Sequence, residues 1–191
     1  MSGQIRDLSA LHPGLQPLVT RWINNCRARK IQILVVETAR SWDVMKAYYS
    51  RGRNELATVN SLYKRAGLRP ITLKDNRSTI TNAMPGESWH YYGLALDAVP
   101  VINGKADWLY NPEDPKDYFD EMAEEADMLG LTWGGKFRTF PDYPHLEYHP
   151  GYSASIKSNG VKVAYSFSVK LGHLNIPLKG VYGDKKVKFP V

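Results

Sequence analysis

The chain has 191 residues, is 43% hydrophobic, 23% charged and 12% aromatic, and carries a formal charge of +6. That composition is globular and excludes a disordered, collagen-like or low-complexity chain; no run approaches the roughly 18 apolar residues of a membrane helix. The length sets an expectation of one domain with a tail. A single cysteine, Cys26, excludes an internal disulfide and a thiolate metal cluster. Met1 to Asp7 lacks a basic region followed by an apolar run, so no Sec-type signal peptide is expected, and synthesis in a reducing cytoplasm is.

In chain order, Leu11, Leu15, Leu18, Val19, Trp22, Ile23 and Cys26 recur at helical steps, which predicts an amphipathic helix within Leu8 to Ala28, starting near Pro13. A β-rich run follows at Ile31 to Thr38. Trp42 to Gly67 reads as one or two helices broken near Arg51-Gly52-Arg53, and Pro70 to Glu87 is polar with turns at Asp75-Asn76 and Pro85-Gly86. Leu94 to Val101 is a strand, Asn103-Gly104 a hairpin turn, and Phe119 to Leu129 a helix closed by Gly130. His145 to His149 reads as a short strand.

The tail alternates apolar and polar residues from Val161 to Val169 and breaks at Gly172, which predicts an edge hairpin. The interleaving lacks regular βαβ spacing, so the expected class is α+β. Residues 151–191 hold seven Lys, no Arg and one acid, Asp184, whereas residues 1–150 hold 18 basic and 18 acidic side chains. The excess charge therefore lies wholly in the tail. It suits an anionic partner such as nucleic acid, an acidic membrane face or a cell-wall polymer, or serves only solubility.

Three segments concentrate chemistry: Ser88 to Asp97, Asp142 to His145, and Thr38 to Ser41. A catalytic zinc takes three protein ligands and keeps a fourth position open. The glycine at position 93 permits a tight turn after His90, which can return Asp97 on the following strand toward the imidazole, and His145 can join from a neighbouring strand. On a strand His145, Glu147 and His149 share one face, with His145 and His149 roughly 13 Å apart, too far for one ion. No His-Glu-x-x-His is present. Each residue also has a plainer reading: a structural histidine, an aspartate capping a turn, an acid in a loop before proline.

Ser88-x-His90-x-x-Gly93-x-Ala95-x-Asp97, followed by Trp133-Gly134-Gly135 and Asp142-x-Pro144-His145, resembles the zinc peptidases of the LAS superfamily. That group holds D-alanyl-D-alanine carboxypeptidases, vancomycin-resistance dipeptidases and L-alanyl-D-glutamate endopeptidases. Arg40-Ser41 and Asn82-Ala83-x-Pro85-Gly86 are similar to the family's flanking segments, and Ala39 departs from the Gly or Tyr expected before the arginine. Asp-x-Pro-His is similar to the endopeptidase branch found in phage endolysins, whereas carboxypeptidase members place Glu three residues before the last ligand.

The resemblance covers about residues 6–150 and implies a small, mainly antiparallel sheet flanked by helices, of the Hedgehog and D,D-peptidase type. It further implies a catalytic domain over 1–150 with a basic β-rich extension, 151–191, packed on it. His90, Asp97 and His145 would hold one Zn²⁺, and Asp142 would be the general base, with Glu147 the fallback. Arg40 would stabilise the oxyanion or grip a substrate carboxylate, Ser88 would orient a ligand or substrate, and His149 would be structural or substrate-facing.

The implied function is hydrolysis of a peptidoglycan stem peptide, L-alanyl-D-glutamate, by an endolysin held in the host cytoplasm until lysis and acting as a monomer. A D,D-carboxypeptidase or D,D-dipeptidase, or a non-catalytic metal-stabilised wall-binding module, is the alternative. Nucleic acid ranks last, because a tail with no Arg lacks the guanidinium forks that base readout favours. Trp89, Tyr91, Tyr92, Trp133 and Tyr143 flank the motif, and one or two of them are expected to touch substrate.

Overall fold

In the computed structural model, residues 3–115 and 117–149 are described in full and residues 164–171 and 174–181 by their backbone. Two units divide the chain, and each is built from its own local signals.

The unit comprising Ile5–Ala39 and Tyr92–His149 carries the main sheet. Helix α1, Gln16–Ala28, buries Val19, Trp22 and Cys26, the three- and four-residue steps that place side chains on one stripe. It starts later than Pro13, because a single 3-10 turn at Leu8–Ala10 comes first. The Trp22 Nε1–H donates to the Met122 carbonyl at 2.9 Å, tying α1 to α4, Tyr118–Asp127. Helix α4 begins at Asp117, whose carboxylate accepts from the Phe119 and Asn111 N–H groups at 2.8 Å each. It ends as Gly130 would have it: φ is +73°, Leu131 N–H reaches back to Ala126 and Gly130 N–H to Asp127, a Schellman closure.

Strands β1 (Ile33–Glu37), β2 (Ala95–Ile102), β3 (Lys105–Ala106), β4 (Thr132–Trp133) and β5 (His145–Glu147) form a sheet of order β1-β2-β5-β4, with β3 on β2. Every pairing is antiparallel. The β2–β3 hairpin turns on Asn103 and Gly104, both at positive φ (51° and 76°), as a two-residue primed turn requires. Strand β2 lies between β1 and β5 and buries Ala95, Leu96, Ala98, Val99 and Pro100. The apolar core joins α1 and α4 to this sheet through Leu15, Trp22, Leu96, Phe119 and Leu146, each no more than 3% exposed.

The unit comprising Met1–Gln4, Arg40–Tyr91 and Pro150–Val191 has two α-helices among its described residues. Helix α2, Trp42–Ser50, is capped by the Ser41 hydroxyl, which accepts from Val44 N–H; helix α3 is Leu56–Arg65. The break between them falls at Arg51-Gly52-Arg53, where Gly52 has φ of +73°. Ala47, Val59 and Tyr63 make a small core. Strands β6 (Ala164–Leu171) and β7 (Leu174–Val181) pair antiparallel in a two-stranded sheet. The expected strand pairing is there, β6 with β7; residues 172–173 between them lie outside the described residues. No described helix is long and apolar enough to cross a membrane. Four α-helices together with small antiparallel sheets among the described residues make this an α+β fold.

Candidate metal centre

Antiparallel register does most of the assembly. In the β2–β5 ladder Asp97 stands directly opposite His145, and directly opposed residues bring their side chains together on one face. Asp97 Oδ1 lies 3.1 Å from His145 Nδ1. On its other side β2 meets β1, where register slips between Val35 and Glu37, so that Glu37 and not Val36 opposes Asp97. A bulge at this point bends the strand beside the ligand, a common device next to active sites.

His90 arrives on a one-turn 3-10 helix, Trp89–Tyr92. The Ser88 carbonyl accepts from Tyr91 N–H at 3.0 Å and the His90 carbonyl from Arg40 N–H at 3.0 Å. Gly93 then reverses the chain at φ +66°, and its carbonyl accepts from His12 N–H at 2.8 Å. A side chain there would stand 2.8 Å from His12 N, so only glycine fits both the angle and the space.

The loop carrying Asp142 and His145 is held from several directions. Asp142 N–H donates to the Gly134 carbonyl at 3.0 Å, His145 N–H to the Asp142 carbonyl at 3.2 Å, and Ala98 N–H to the Pro144 carbonyl at 2.9 Å. Trp133 Nε1–H donates to the Tyr143 carbonyl at 2.7 Å. The Tyr143 ring stacks on Tyr110 at 4.5 Å, and Tyr110 meets Trp133 edge-on. Trp133 and Tyr143 thus clamp this loop.

One ligand atom each from His90, Asp97 and His145 lies within 4.8 Å of the others. His90 is 1% and His145 9% exposed, and the Asp97 side chain 18%. Two imidazoles and a carboxylate at these separations are a donor set for one zinc ion that leaves a coordination position for water. Without the ion, burial works against a charged His145, but hydrogen bonding and attraction from Asp97 and Glu147 prevail and raise it to about 10. Burial likewise opposes a charged Glu147, yet His145 and His149 hold it down at about 2.

Asp142 is half-buried, three residues before His145 and hydrogen-bonded to its backbone. Arg40 is half-buried, its guanidinium 5.0 Å from the centre of the Tyr48 ring, a cation–π distance. Ser88 is half-buried and closes the His90 turn through its carbonyl. Glu147 is buried with both carboxylate oxygens engaged: Oε2 is 3.0 Å from His145 Nε2, and Oε1 is 2.8 Å from His149 Nε2. That bridge is not anticipated from the sequence, although alternation along β5 already puts His145 and Glu147 on one face.

Comparison with known proteins agrees with this geometry. Residues 81–148, the segment that carries His90, Asp97 and His145, match the profile of a peptidase family described as D-alanyl-D-alanine carboxypeptidase. Over 155 residues, 71% of this chain and 74% of the relative, the chain is 29% identical to the peptidoglycan L-alanyl-D-glutamate endopeptidase CwlK of Bacillus subtilis. It is 32% identical over 81 residues to the L-alanyl-D-glutamate peptidase of Listeria phage A118, covering 41% of this chain and 27% of that one. Among solved structures, the L-Ala D-Glu endopeptidase ChiX of Serratia marcescens aligns with a TM-score of 0.45 at 19% identity, over 74% of this chain and 83% of its own.

Proposed function

We propose that this protein is a zinc-dependent peptidoglycan hydrolase that cuts the L-alanyl-D-glutamate bond of the stem peptide and serves a phage or prophage as an endolysin. The observation that carries the reading is the His90–Asp97–His145 group, with both imidazoles buried, and Asp142 three residues before its last member. The two curated relatives, both named for L-alanyl-D-glutamate cleavage, support the choice of bond.

His90, Asp97 and His145 would hold one zinc ion, which when bound would supply Lewis acidity, lowering the pKa of water toward about 7 and countering charge on the scissile carbonyl. Asp142 takes the proton of the attacking water and returns it to the departing amine, a contribution of about 10²–10⁴ in rate. Arg40, the half-buried guanidinium beside Tyr48, pairs with a stem-peptide carboxylate through its two-pronged donor face. Ser88 orients the peptide beside His90. The seven lysines of residues 151–191 hold the enzyme to the anionic wall, an attraction that salt weakens. The enzyme acts as a monomer and waits in the host cytoplasm until lysis.

The test is mass spectrometry of purified peptidoglycan after digestion, with and without chelator. New N-terminal D-glutamate that vanishes with chelator is the expected result. Release of free D-alanine would replace the endopeptidase reading with a carboxypeptidase one, and intact walls from several sources would overturn hydrolysis altogether.

A further inference from the structure

We infer that Glu147, braced by His149, is a positioning residue that sets which nitrogen of His145 faces the metal. The inference rests on the reading of His90, Asp97 and His145 as a zinc group, and it reaches beyond the three ligands to Glu147 and His149.

His145 and Glu147 are two apart on β5, so strand alternation raises their side chains from the same face. Glu147 is opposite Ala95 on β2 and Thr132 on β4, so its backbone is gripped from both sides and it is 7% exposed. A carboxylate in that position is costly to keep charged unless it is paired. It is paired twice: with His145 Nε2 at 3.0 Å through Oε2, and with His149 Nε2 at 2.8 Å through Oε1. His149 adds an ion-pair contact at the second carboxylate oxygen.

The imidazole of His145 is therefore wedged between two acids, Asp97 Oδ1 on Nδ1 at 3.1 Å and Glu147 Oε2 on Nε2 at 3.0 Å. Its neutral form carries one N–H, and the two acids compete for it. If Asp97 wins, the proton sits on Nδ1, where it blocks the nitrogen that must ligate. If Glu147 wins, the proton sits on Nε2 and the Nδ1 lone pair points at the group formed with His90 and Asp97. Carboxylate partners on the far nitrogen of a ligating histidine commonly contribute 10- to 100-fold to metal affinity. Asp97 is itself a ligand and opposes the useful tautomer while the ion is absent, so the bias has to come from Glu147.

The experiment measures zinc affinity of the full chain by competition with a chromogenic chelator, for wild type, Glu147→Ala, Glu147→Gln, His149→Ala and Asp142→Ala. Circular dichroism checks that each folds, and long-range ¹⁵N correlation spectra of the zinc-loaded protein report the His145 tautomer. Glu147→Ala is expected to weaken zinc binding by about 10- to 100-fold and His149→Ala by a smaller factor. Glu147→Gln should restore most of the loss, since its amide oxygen still accepts from Nε2–H; Asp142→Ala should bind zinc as wild type does. Should Glu147→Ala not fold, Glu147→Gln and His149→Ala carry the test through the spectra.

Wild-type zinc affinity in Glu147→Ala, or a zinc-loaded wild type with His145 bound through Nε2, would overturn the inference. Absence of zinc binding in the wild type would overturn it together with the metal reading. Weakened zinc binding in Glu147→Ala alongside a wild type that cuts no wall would sink the proposed function and leave this inference standing.

Discussion

Gly134 offers a sharp test of how the loop bearing Asp142 and His145 is placed. A Cβ added there would lie 2.5 Å from the Asp142 carbonyl oxygen and 2.9 Å from the His145 Cβ. Neither obstacle is the end of a flexible side chain. The Asp142 carbonyl must retreat by roughly 1 Å to reach ordinary van der Waals separation, yet the same loop is anchored to Gly134, Ala98 and Trp133 by hydrogen bonds of 2.7–3.0 Å. Overpacking of this kind costs about 1–3 kcal/mol of stability, and a displacement near 1 Å at reacting groups costs on the order of 10²-fold in rate.

The control is Gly130→Ala. That glycine has φ of +73° with nothing within 4 Å of an added Cβ, so the change costs about 1–2 kcal/mol of left-handed strain and moves nothing near the site. The two variants should melt at similar temperatures and differ in function. Gly134→Ala is expected to lose about 10²-fold in wall cleavage, followed by release of new amino ends, and to bind zinc more weakly than Gly130→Ala does. Equal activity and equal zinc affinity in the two variants would refute the idea that glycine at 134 sets the position of this loop.

Burial, with Glu125 nearby and only partly offset by Arg29, pushes the Cys26 thiol up to about 12, so a thiol reagent at pH 8 should leave the folded protein untouched and label it after denaturation. Metal-free protein should be favoured by the His145–Glu147 contacts most fully between about pH 4.5 and 6.5. His145, raised to about 10, supplies stability that fades as pH climbs from 6.5 toward that value. Glu147, lowered to about 2, supplies stability that fades as pH falls below 4.5. Thermal melts across pH with chelator present check this window, and a stability that rises from pH 7 to pH 9 in wild type but not in Glu147→Gln would contradict it. Asp117→Ala removes one acceptor from two backbone N–H groups at the start of α4 and should cost about 2 kcal/mol, a melting drop of roughly 4–8 °C, with Asp117→Asn in between.

Short-range physics makes much of this chain legible in its sequence. Helical periodicity marks α1 and α4, because three- and four-residue steps put Val19, Trp22 and Cys26 on one stripe. Turn chemistry marks Asn103-Gly104 and Gly130, because positive φ is cheap there. The spacing from His90 through Gly93 to Asp97, with His145 downstream, is enough to name the three side chains that the fold brings within 4.8 Å. Strand pairing, by contrast, is a contest among distant segments. Only the folded sheet decides that β5 lies beside β2 with His145 opposite Asp97, and that a slip after Val35 sets Glu37 against Asp97. The same holds for side-chain partners. Alternation tells which face of β5 Glu147 occupies, but its two imidazole contacts depend on where β5 ends and His149 turns, and no local preference encodes that.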